Sequence, residues 1–246
     1  MKSLSLISIL LLASLSAAMA EKDREAIFAQ AKAAYDAGRY AEAEKGFGTL
    51  VSNGLFNAEL EYDLGNACFK SGHLPQAVLH YRRAGYLKPR DPDVEANLTY
   101  ALDAAGAIPP AFGPIEKALL SLSEREWTHI AIGAYLLLTV ALSIGLSIRM
   151  RRARLLRLLA ILLLPLLPAS LGLWNWHRLK IEPEAVVAQT GVTARCGPLP
   201  DATAHYRIPL GALLRIRNRA NGDWIEVEYD QKTGWVRKEQ VQPVSP

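Results

Sequence analysis

Two long apolar stretches in the second half of the chain, 127–148 and 155–176, dominate its pattern of hydrophobic and polar positions. Each is close to the roughly 20 residues that an α-helix needs to cross a hydrocarbon core of about 30 Å. Once the flanking positions are trimmed, neither apolar run carries a charge. The pattern predicts two membrane-spanning helices that form a hairpin.

Arginines crowd the turn 149–154 and the first residues after it. Positively charged residues of short loops are retained on the cytoplasmic side, so the turn is predicted to be cytoplasmic and both flanking segments to lie outside. A specific anionic-lipid site at this cluster is the alternative interpretation. The formal net charge of +4 comes largely from the cluster and does not indicate nucleic-acid binding. The cluster consists of Arg149, Arg151, Arg152, Arg154 and Arg157.

The N-terminus points to the same topology. Lys2 precedes an apolar run over residues 4–15, and Ala18-Met19-Ala20 has the small-x-small pattern of a cleavage site. Residues 1–20 are therefore predicted to be a secretory signal peptide, with an uncleaved signal anchor as the alternative. In either case, residue 21 onward is expected to be exported.

Residues 21–106 are rich in alanine, apolar at helical spacing, and similar to themselves at an offset of 34 positions. This offset is typical of a pair of tetratricopeptide (TPR) repeats, which form an all-α helical domain. The glycines suit the turns, and the small residues let neighbouring helices approach closely. The aligned positions are Ala31, Gly38, Tyr40, Ala43 and Phe47 over Gly65, Gly72, Leu74, Ala77 and Tyr81.

A further helix and a linker follow the repeats. Asp91-Pro92-Asp93 supplies an N-cap with proline at the first helical position, which predicts a capping helix through Leu102. Residues 107–126 contain several prolines and then an amphipathic segment, so they are predicted to be a linker with an interfacial helix. Three tryptophans near the ends of the spans are predicted to be membrane-interface anchors, as is common at such boundaries. They are Trp127, Trp174 and Trp176.

The pattern changes to short alternating strands over residues 185–246. Strands are expected at 186–188, 213–217, 224–229 and 234–236, with turns at Gly197-Pro198, Gly211 and Asn221-Gly222. This small all-β unit, and above all Thr233-Gly234-Trp235-Val236 near its end, resembles the bacterial SH3-like module, which implies a small β-barrel. Trp224 and Trp235 are predicted to be core residues.

No constellation typical of catalysis or metal binding is apparent. The five histidines, at positions 73, 80, 129, 177 and 205, lack the spacing of a zinc site. We found no nucleophile elbow, no phosphate-binding loop, and no Cys and His in one domain that could act together. The sequence therefore predicts a non-enzymatic protein without cofactor or metal. Cys68 is expected to be buried and Cys196 more exposed, with a disulfide as the less favoured alternative.

Binding is the remaining class of function, and four residues are its candidates. Asn66 and Lys70 are predicted to lie on the concave face of the second repeat. Tyr206 and Tyr229 could line a peptide groove of the SH3-like module, although aromatic residues in so small a domain can also be core.

The order of these segments resembles the BatE-type proteins of Bat (aerotolerance) operons. The resemblance covers nearly the whole chain and includes Tyr62-Asp63-Leu64-Gly65-Asn66-Ala67 and the segments 80–84 and 91–98. It implies a multi-pass protein of the bacterial inner membrane with periplasmic TPR and SH3-like domains. The implied role is a scaffold that works with membrane proteins bearing von Willebrand factor A domains and with a MoxR-type ATPase. Binding of peptidoglycan peptide or glycan through the SH3-like module is the alternative function.

Overall fold

The computed structural model describes residues 21–244, apart from the side chains of residues 219–221. The predicted signal peptide, residues 1–20, lies outside the described residues. The described chain begins in helices that pack on one another in sequence order. They are α1 (residues 21–36), α2 (Tyr40–Ser52), α3 (Ala58–Lys70), α4 (Leu74–Leu87) and α5 (Pro92–Ala104).

The offset of 34 positions seen in the sequence recurs in the helix boundaries. Helices α2 and α4 begin at Tyr40 and Leu74, 34 positions apart. Gly38 and Gly72 adopt left-handed φ angles of 76° and 83° in the preceding turns, a conformation that glycine reaches without steric cost. The first two helical hairpins are therefore built to the same plan.

Small residues bring the helices of each hairpin together. A Cβ atom on Gly65 would lie 2.7 Å from the ring of Tyr81, and one on Gly46 would lie 2.8 Å from the Cβ of Ala31. Such distances leave no room for a side chain. The predicted close approach at Gly65 is thus present.

Helix α5 begins where its sequence predicts. Asp91 Oδ1 accepts hydrogen bonds from the backbone N–H of Asp93 and Val94, and Pro92 occupies the first helical position. The chain then continues through the linker to α6 (Pro114–Leu120) and α7 (Glu124–Ser147), which Ser123 and Glu126 cap reciprocally. Helices α8 (Arg152–Leu163) and α9 (Leu166–Ile181) return along α7.

Two helical segments, Glu124–Ser147 and Arg152–Ile181, are long and apolar enough to cross a membrane. Large apolar side chains of α7 are exposed from Ile130 onward, and Ile148 directly after the helix is exposed as well. This belt rises by roughly 27 Å at 1.5 Å per residue, close to a hydrocarbon core. The arginine-rich turn lies at one end of the hairpin. At the other end the start of α7 meets the end of α9, where Lys180 Nζ lies 2.7 Å from Glu124 Oε1.

The C-terminal part is an antiparallel sheet with the order β3-β2-β6-β5-β4-β1-β7. The predicted strands correspond to β1, β4, β5 and β6, whereas β2, β3 and β7 were not predicted. The strands are β1 (Glu184–Val187), β2 (Thr193–Arg195), β3 (Ala204–Arg207), β4 (Leu213–Asn221), β5 (Trp224–Tyr229), β6 (Lys232–Arg237) and β7 (Val241–Val244).

The assignment of Trp224 and Trp235 to the core is wrong. Burial alternates along β5, so that Ile225, Val227 and Tyr229 are buried while Trp224 is only partly covered. Trp235 is likewise only partly covered and lies directly opposite Glu226 of β5. Side chains of successive strand residues point to opposite faces, and both tryptophans lie on the outer one.

Candidate functional site

A buried polar cluster lies where α4, the linker and β1 meet, and we call it the junction. Its centre is Glu184 at the start of β1, whose carboxylate accepts two hydrogen bonds from Arg82 of α4. Arg82 Nε lies 2.5 Å from Oε2 and Nη2 lies 2.9 Å from Oε1. The hydroxyl of Tyr86 donates a third hydrogen bond to Oε2 at 2.8 Å. This is the bidentate geometry in which an arginine holds a carboxylate most strongly.

The local sequence explains this arrangement. Arg82 and Tyr86 are four positions apart on α4, so both side chains lie on the face that meets β1. All four residues of β1 are buried, because the strand pairs with β4 and β7 and packs against α4. The carboxylate that begins this otherwise apolar strand therefore needs partners inside the protein.

The protonation states at the junction follow from burial and charge. Burial raises the pKa of the Tyr86 phenol, and the negative charge of Glu184 raises it further against the opposing effect of Arg82. Burial disfavours the charge of Arg82, but attraction to Glu184 and hydrogen bonding outweigh it, so the pKa of Arg82 is raised. The guanidinium stays charged and the phenol stays neutral at physiological pH.

The linker is held at the junction by a cation–π arrangement. The ring centroid of Phe112 lies 5.2 Å from the guanidinium carbon of Arg82 and 5.7 Å from that of Arg215. Arg215 of β4 also pairs with Glu116 of α6 at 3.1 Å, and Arg178 of α9 pairs with the same carboxylate at 2.6 Å. Helix α6 is thus tied to both the sheet and the second apolar helix.

Two of the three predicted membrane anchors are buried in protein. Trp176 is 1% exposed, lies edge-on to Tyr86 at 5.4 Å, and donates from Nε1 to the carbonyl of Leu122. Trp127 is also buried and donates to the carbonyl of Leu119 at 2.9 Å. The anchor prediction is therefore wrong for Trp127 and Trp176, because the linker and helices cover them. Trp174 is 60% exposed, as an anchor requires.

The predicted binding residues of the repeats differ in accessibility. Asn66 is half-buried, and its Oδ1 accepts hydrogen bonds from the Tyr81 hydroxyl at 2.8 Å and from Asn97 Nδ2 at 3.0 Å. Asn66 thus fastens α3 to α4 and α5. Lys70, at the end of α3, is exposed and available to a partner.

The two predicted tyrosines of the sheet also differ. Tyr229 is buried, and its hydroxyl accepts a hydrogen bond from the backbone N–H of Ile108, which ties the linker to β5. Tyr206 is partly exposed, and its hydroxyl donates to the carbonyl of Lys232 at 2.9 Å. Burial, with the nearby charge of Glu228, raises the pKa of Tyr206 to about 12. In the described residues, no hydrogen bond joins either tyrosine to Asn66 or Lys70.

The arginines of the hairpin turn lie at the opposite end of the apolar hairpin from the junction. All five are exposed at the end of the hairpin where α7 turns into α8. Arg149, the second residue after α7, adopts a left-handed φ of 49°, a conformation that glycine more often takes where a helix ends.

The structure brings together a cysteine and a histidine that the sequence reasoning kept apart. Cys68 and His73 both interact with Glu44 of α2, and His73 Nδ1 lies 2.9 Å from Glu44 Oε2. Cys68 is buried, as predicted, and its thiol is free. Burial, followed by the charge of Glu44, raises the pKa of the Cys68 thiol. The group is therefore held as an unreactive thiol. Cys196 is exposed and also free, as the sequence favoured.

The outer face of the sheet carries aromatic and charged side chains in register. Trp235 of β6 lies opposite Glu226 of β5 and Arg195 of β2. The guanidinium of Arg237 lies 5.5 Å from the ring centroid of Trp224. Trp224 and Glu226 are two positions apart in β5, so their side chains point to the same face of the sheet. This spacing was the signal in the sequence that could have placed Trp224 outside the core.

Comparison with known families identifies part of the chain. Residues 188–243 match the bacterial SH3 domain family, a range that begins just after β1 and ends within β7. A search of curated proteins gave no match. The match suggests a role in binding proteins or the cell wall. The chain thus carries a bacterial SH3 domain at residues 188–243, behind a helical part and two helices apolar enough to span a membrane.

Proposed function

We propose that the protein is a non-enzymatic, membrane-anchored adaptor of the Bat type. In this proposal α1 to α4 are a TPR pair, and this pair and the SH3 domain stand together on the periplasmic side of the bacterial inner membrane. The matched SH3 domain supports a binding role, and the repeated helix boundaries support the TPR assignment. The order of segments supports the Bat-type assignment through the resemblance described above.

One observation carries the proposal: both binding modules are fixed to the same end of the apolar hairpin. Arg82 of the helical part holds Glu184 at the start of β1, directly after α9. Arg90 of the α4–α5 loop pairs with Glu126 in the first turn of α7. A hairpin with both modules at one end presents them on one side of a membrane, and the arginine-rich turn favours the cytoplasm for the other end.

Partners of this adaptor would be other envelope proteins. The Bat resemblance implies membrane proteins with von Willebrand factor A domains and a MoxR-type ATPase. Lys70 is a suitable probe of the repeat surface because it is exposed at the end of α3. Asn66 is a poor probe, since its replacement would break hydrogen bonds to two neighbouring helices.

Affinity purification of the full chain from membranes tests the adaptor proposal. We expect wild type to recover proteins with von Willebrand factor A domains and Lys70→Glu to recover several-fold less. Lys45→Glu on α2 is the matched control, because Lys45 is also an exposed helical lysine. Exposed substitutions change stability by under about 0.5 kcal/mol, so lost recovery would reflect lost binding. Recovery of no envelope protein by wild type would contradict the proposal.

Cell-wall binding is the second candidate, and the outer face of the SH3 domain favours it. Partly exposed Trp224 and Trp235 offer flat apolar surface beside arginines, a combination suited to sugars or peptides. Detergent-solubilised full chain would be sedimented with purified sacculi. Cell-wall binding predicts co-sedimentation that Trp224→Ala lowers several-fold, whereas Trp174→Ala on α9 leaves it unchanged. Absence of wild-type co-sedimentation would exclude this candidate.

A further inference from the structure

A cavity of about 360 Å³ lies between the α4–α5 loop and α6. Its volume is within the range of small-ligand sites. The walls come from α4, the α4–α5 loop, α5, the linker, α6 and α9, and much of their surface is apolar. The large apolar wall residues include Val94, Leu98, Phe112, Leu120 and Trp176.

Four basic side chains line the cavity, and two of them form no ion pair within the described residues. Lys88 and Lys117 are exposed, and within the described residues neither takes part in an ion pair. Arg82 and Arg90 also line the cavity but are bound to Glu184 and Glu126.

Two carboxylates line the same cavity. Asp91 is engaged with the backbone N–H groups at the start of α5, and the exposed Glu95 follows one turn later. The two ammonium groups therefore outweigh the single carboxylate that has no structural role. The site is complementary to an anion.

The cavity lies close to the apolar belt of α7, which indicates the source of the anion. The pair of Arg90 and Glu126 places the α4–α5 loop against the first turn of α7. Exposed apolar side chains begin at Ile130, about 6 Å further along the helix axis. The cavity thus lies just above the apolar belt, at the level where lipid headgroups stand beside a spanning hairpin.

We propose that this cavity binds the headgroup of an anionic phospholipid from the membrane that holds the hairpin. Lys88 and Lys117 pair with the phosphate, and the apolar wall receives the glycerol and the first methylene groups. The inference rests on the membrane anchoring in the proposed function. The closeness of the cavity to the apolar belt favours a lipid over free phosphate, which would gain nothing from Leu120 and Trp176.

A headgroup in this cavity would also touch the junction. Arg82, Tyr86 and Phe112 line the cavity and at the same time hold Glu184 or the linker. A bound lipid therefore stabilises the packing between the helical part and the SH3 domain. Lipid composition would in this way set how firmly the two modules are joined.

Native mass spectrometry of the full chain in detergent tests the proposal, with phosphatidylglycerol and phosphatidylcholine as probes. We expect preferential retention of phosphatidylglycerol, and a roughly 10- to 30-fold weaker affinity in Lys88→Gln/Lys117→Gln. Lys232→Gln/Lys238→Gln in the SH3 domain is the matched control and should bind as wild type does. Arg151→Gln/Arg152→Gln separates binding at the cytoplasmic turn from binding at the cavity.

Three outcomes would overturn the proposal. They are equal retention of both lipids, unchanged affinity in Lys88→Gln/Lys117→Gln, and displacement of the lipid by millimolar inorganic phosphate. Flotation of the same protein with liposomes after reconstitution tests the membrane anchor separately. A chain that floats but shows no lipid preference would refute the lipid site and leave the proposed function standing.

Discussion

Gly65 shows how one missing side chain sets the distance between two helices. Gly65→Leu should destabilise the α3–α4 hairpin by about 1 to 3 kcal/mol, because its Cβ would collide with the Tyr81 ring. Hydrogen exchange of the α3 and α4 amides in the full chain would measure the change. Gly48→Leu on α2 is the control, since a Cβ there meets nothing within 4 Å. Equal protection in Gly65→Leu and wild type would contradict the packing.

Cys68 and Cys196 should react very differently with thiol reagents. The thiolate is the reactive form of cysteine. Because the pKa of the buried Cys68 thiol is raised, a smaller fraction of it is thiolate at a given pH. At pH 8, iodoacetamide should modify the exposed Cys196 first and leave Cys68 largely intact. Peptide mass spectrometry distinguishes the two sites. In denaturant both should react, and equal rates in the folded protein would refute the burial of Cys68.

At the scale of elements, small residues also determine the packing of the hairpin. Gly172→Leu should destabilise it by about 1 to 3 kcal/mol, because a side chain there would overlap the indole of Trp127. Unfolding in detergent, followed by tryptophan fluorescence, would report both the lower stability and the displaced indole. Gly133→Leu is the matched control, because a Cβ on Gly133 meets nothing within 4 Å. Similar effects of both substitutions would contradict this contact.

Helices could be predicted from the sequence more completely than strands. Apolar periodicity predicted the helices before α5, and the Asp91 cap predicted α5 itself, since each signal is local. Strands β2 and β3 are only three and four residues long, which is too short for alternating apolar positions to stand out from the neighbouring turns. Strand β7 contains Pro243, which is tolerated because β7 lies at the edge of the sheet. Pairing with neighbours, rather than local preference, makes these segments strands.

The proposed topology of the whole molecule rests on the hairpin and its arginine-rich turn. A reporter active only outside the cytoplasm should be active when fused after Gly106 or after Pro246. A reporter active only in the cytoplasm should work when inserted near Arg152. Replacing the five arginines of the turn by glutamine should scramble this orientation. A cytoplasmic signal after Pro246 would contradict the proposed placement of the SH3 domain.

Glu184 of β1 links the SH3 domain to the helical part, so its replacement should weaken the packing between them. Glu184→Ala should destabilise the protein by about 3 to 5 kcal/mol, because it leaves the charge of Arg82 buried without a partner. Faster proteolysis of the linker at residues 107–113 would show that the modules have separated. Glu228→Ala is the control, since its pair with Arg217 is more exposed and worth under about 1 kcal/mol. Equal proteolysis in both variants would refute this role.

The junction could not be predicted from the sequence. Arg82 and Glu184 are 102 positions apart and lie in segments of different architecture, so no local pattern links them. A lone carboxylate at the start of the apolar strand Glu184–Val187 was the available signal. It indicates that a buried partner is needed but does not say which of the many arginines provides it. The burial of Trp176 could not be predicted either, because the residues that cover it belong to α4 and the linker.

The bond between Arg82 and Glu184 also bears on valency. Two modules on a flexible tether sample many separations. The effective concentration for the second binding event is then lower than with a fixed, matching separation. Here the linker is held in place by contacts of Phe112 and Tyr229, so the spacing between the helical part and the SH3 domain is fixed before any partner binds. A ligand with two sites at that spacing would gain the full avidity of a preorganised bivalent receptor. One with a different spacing would be held by a single site only.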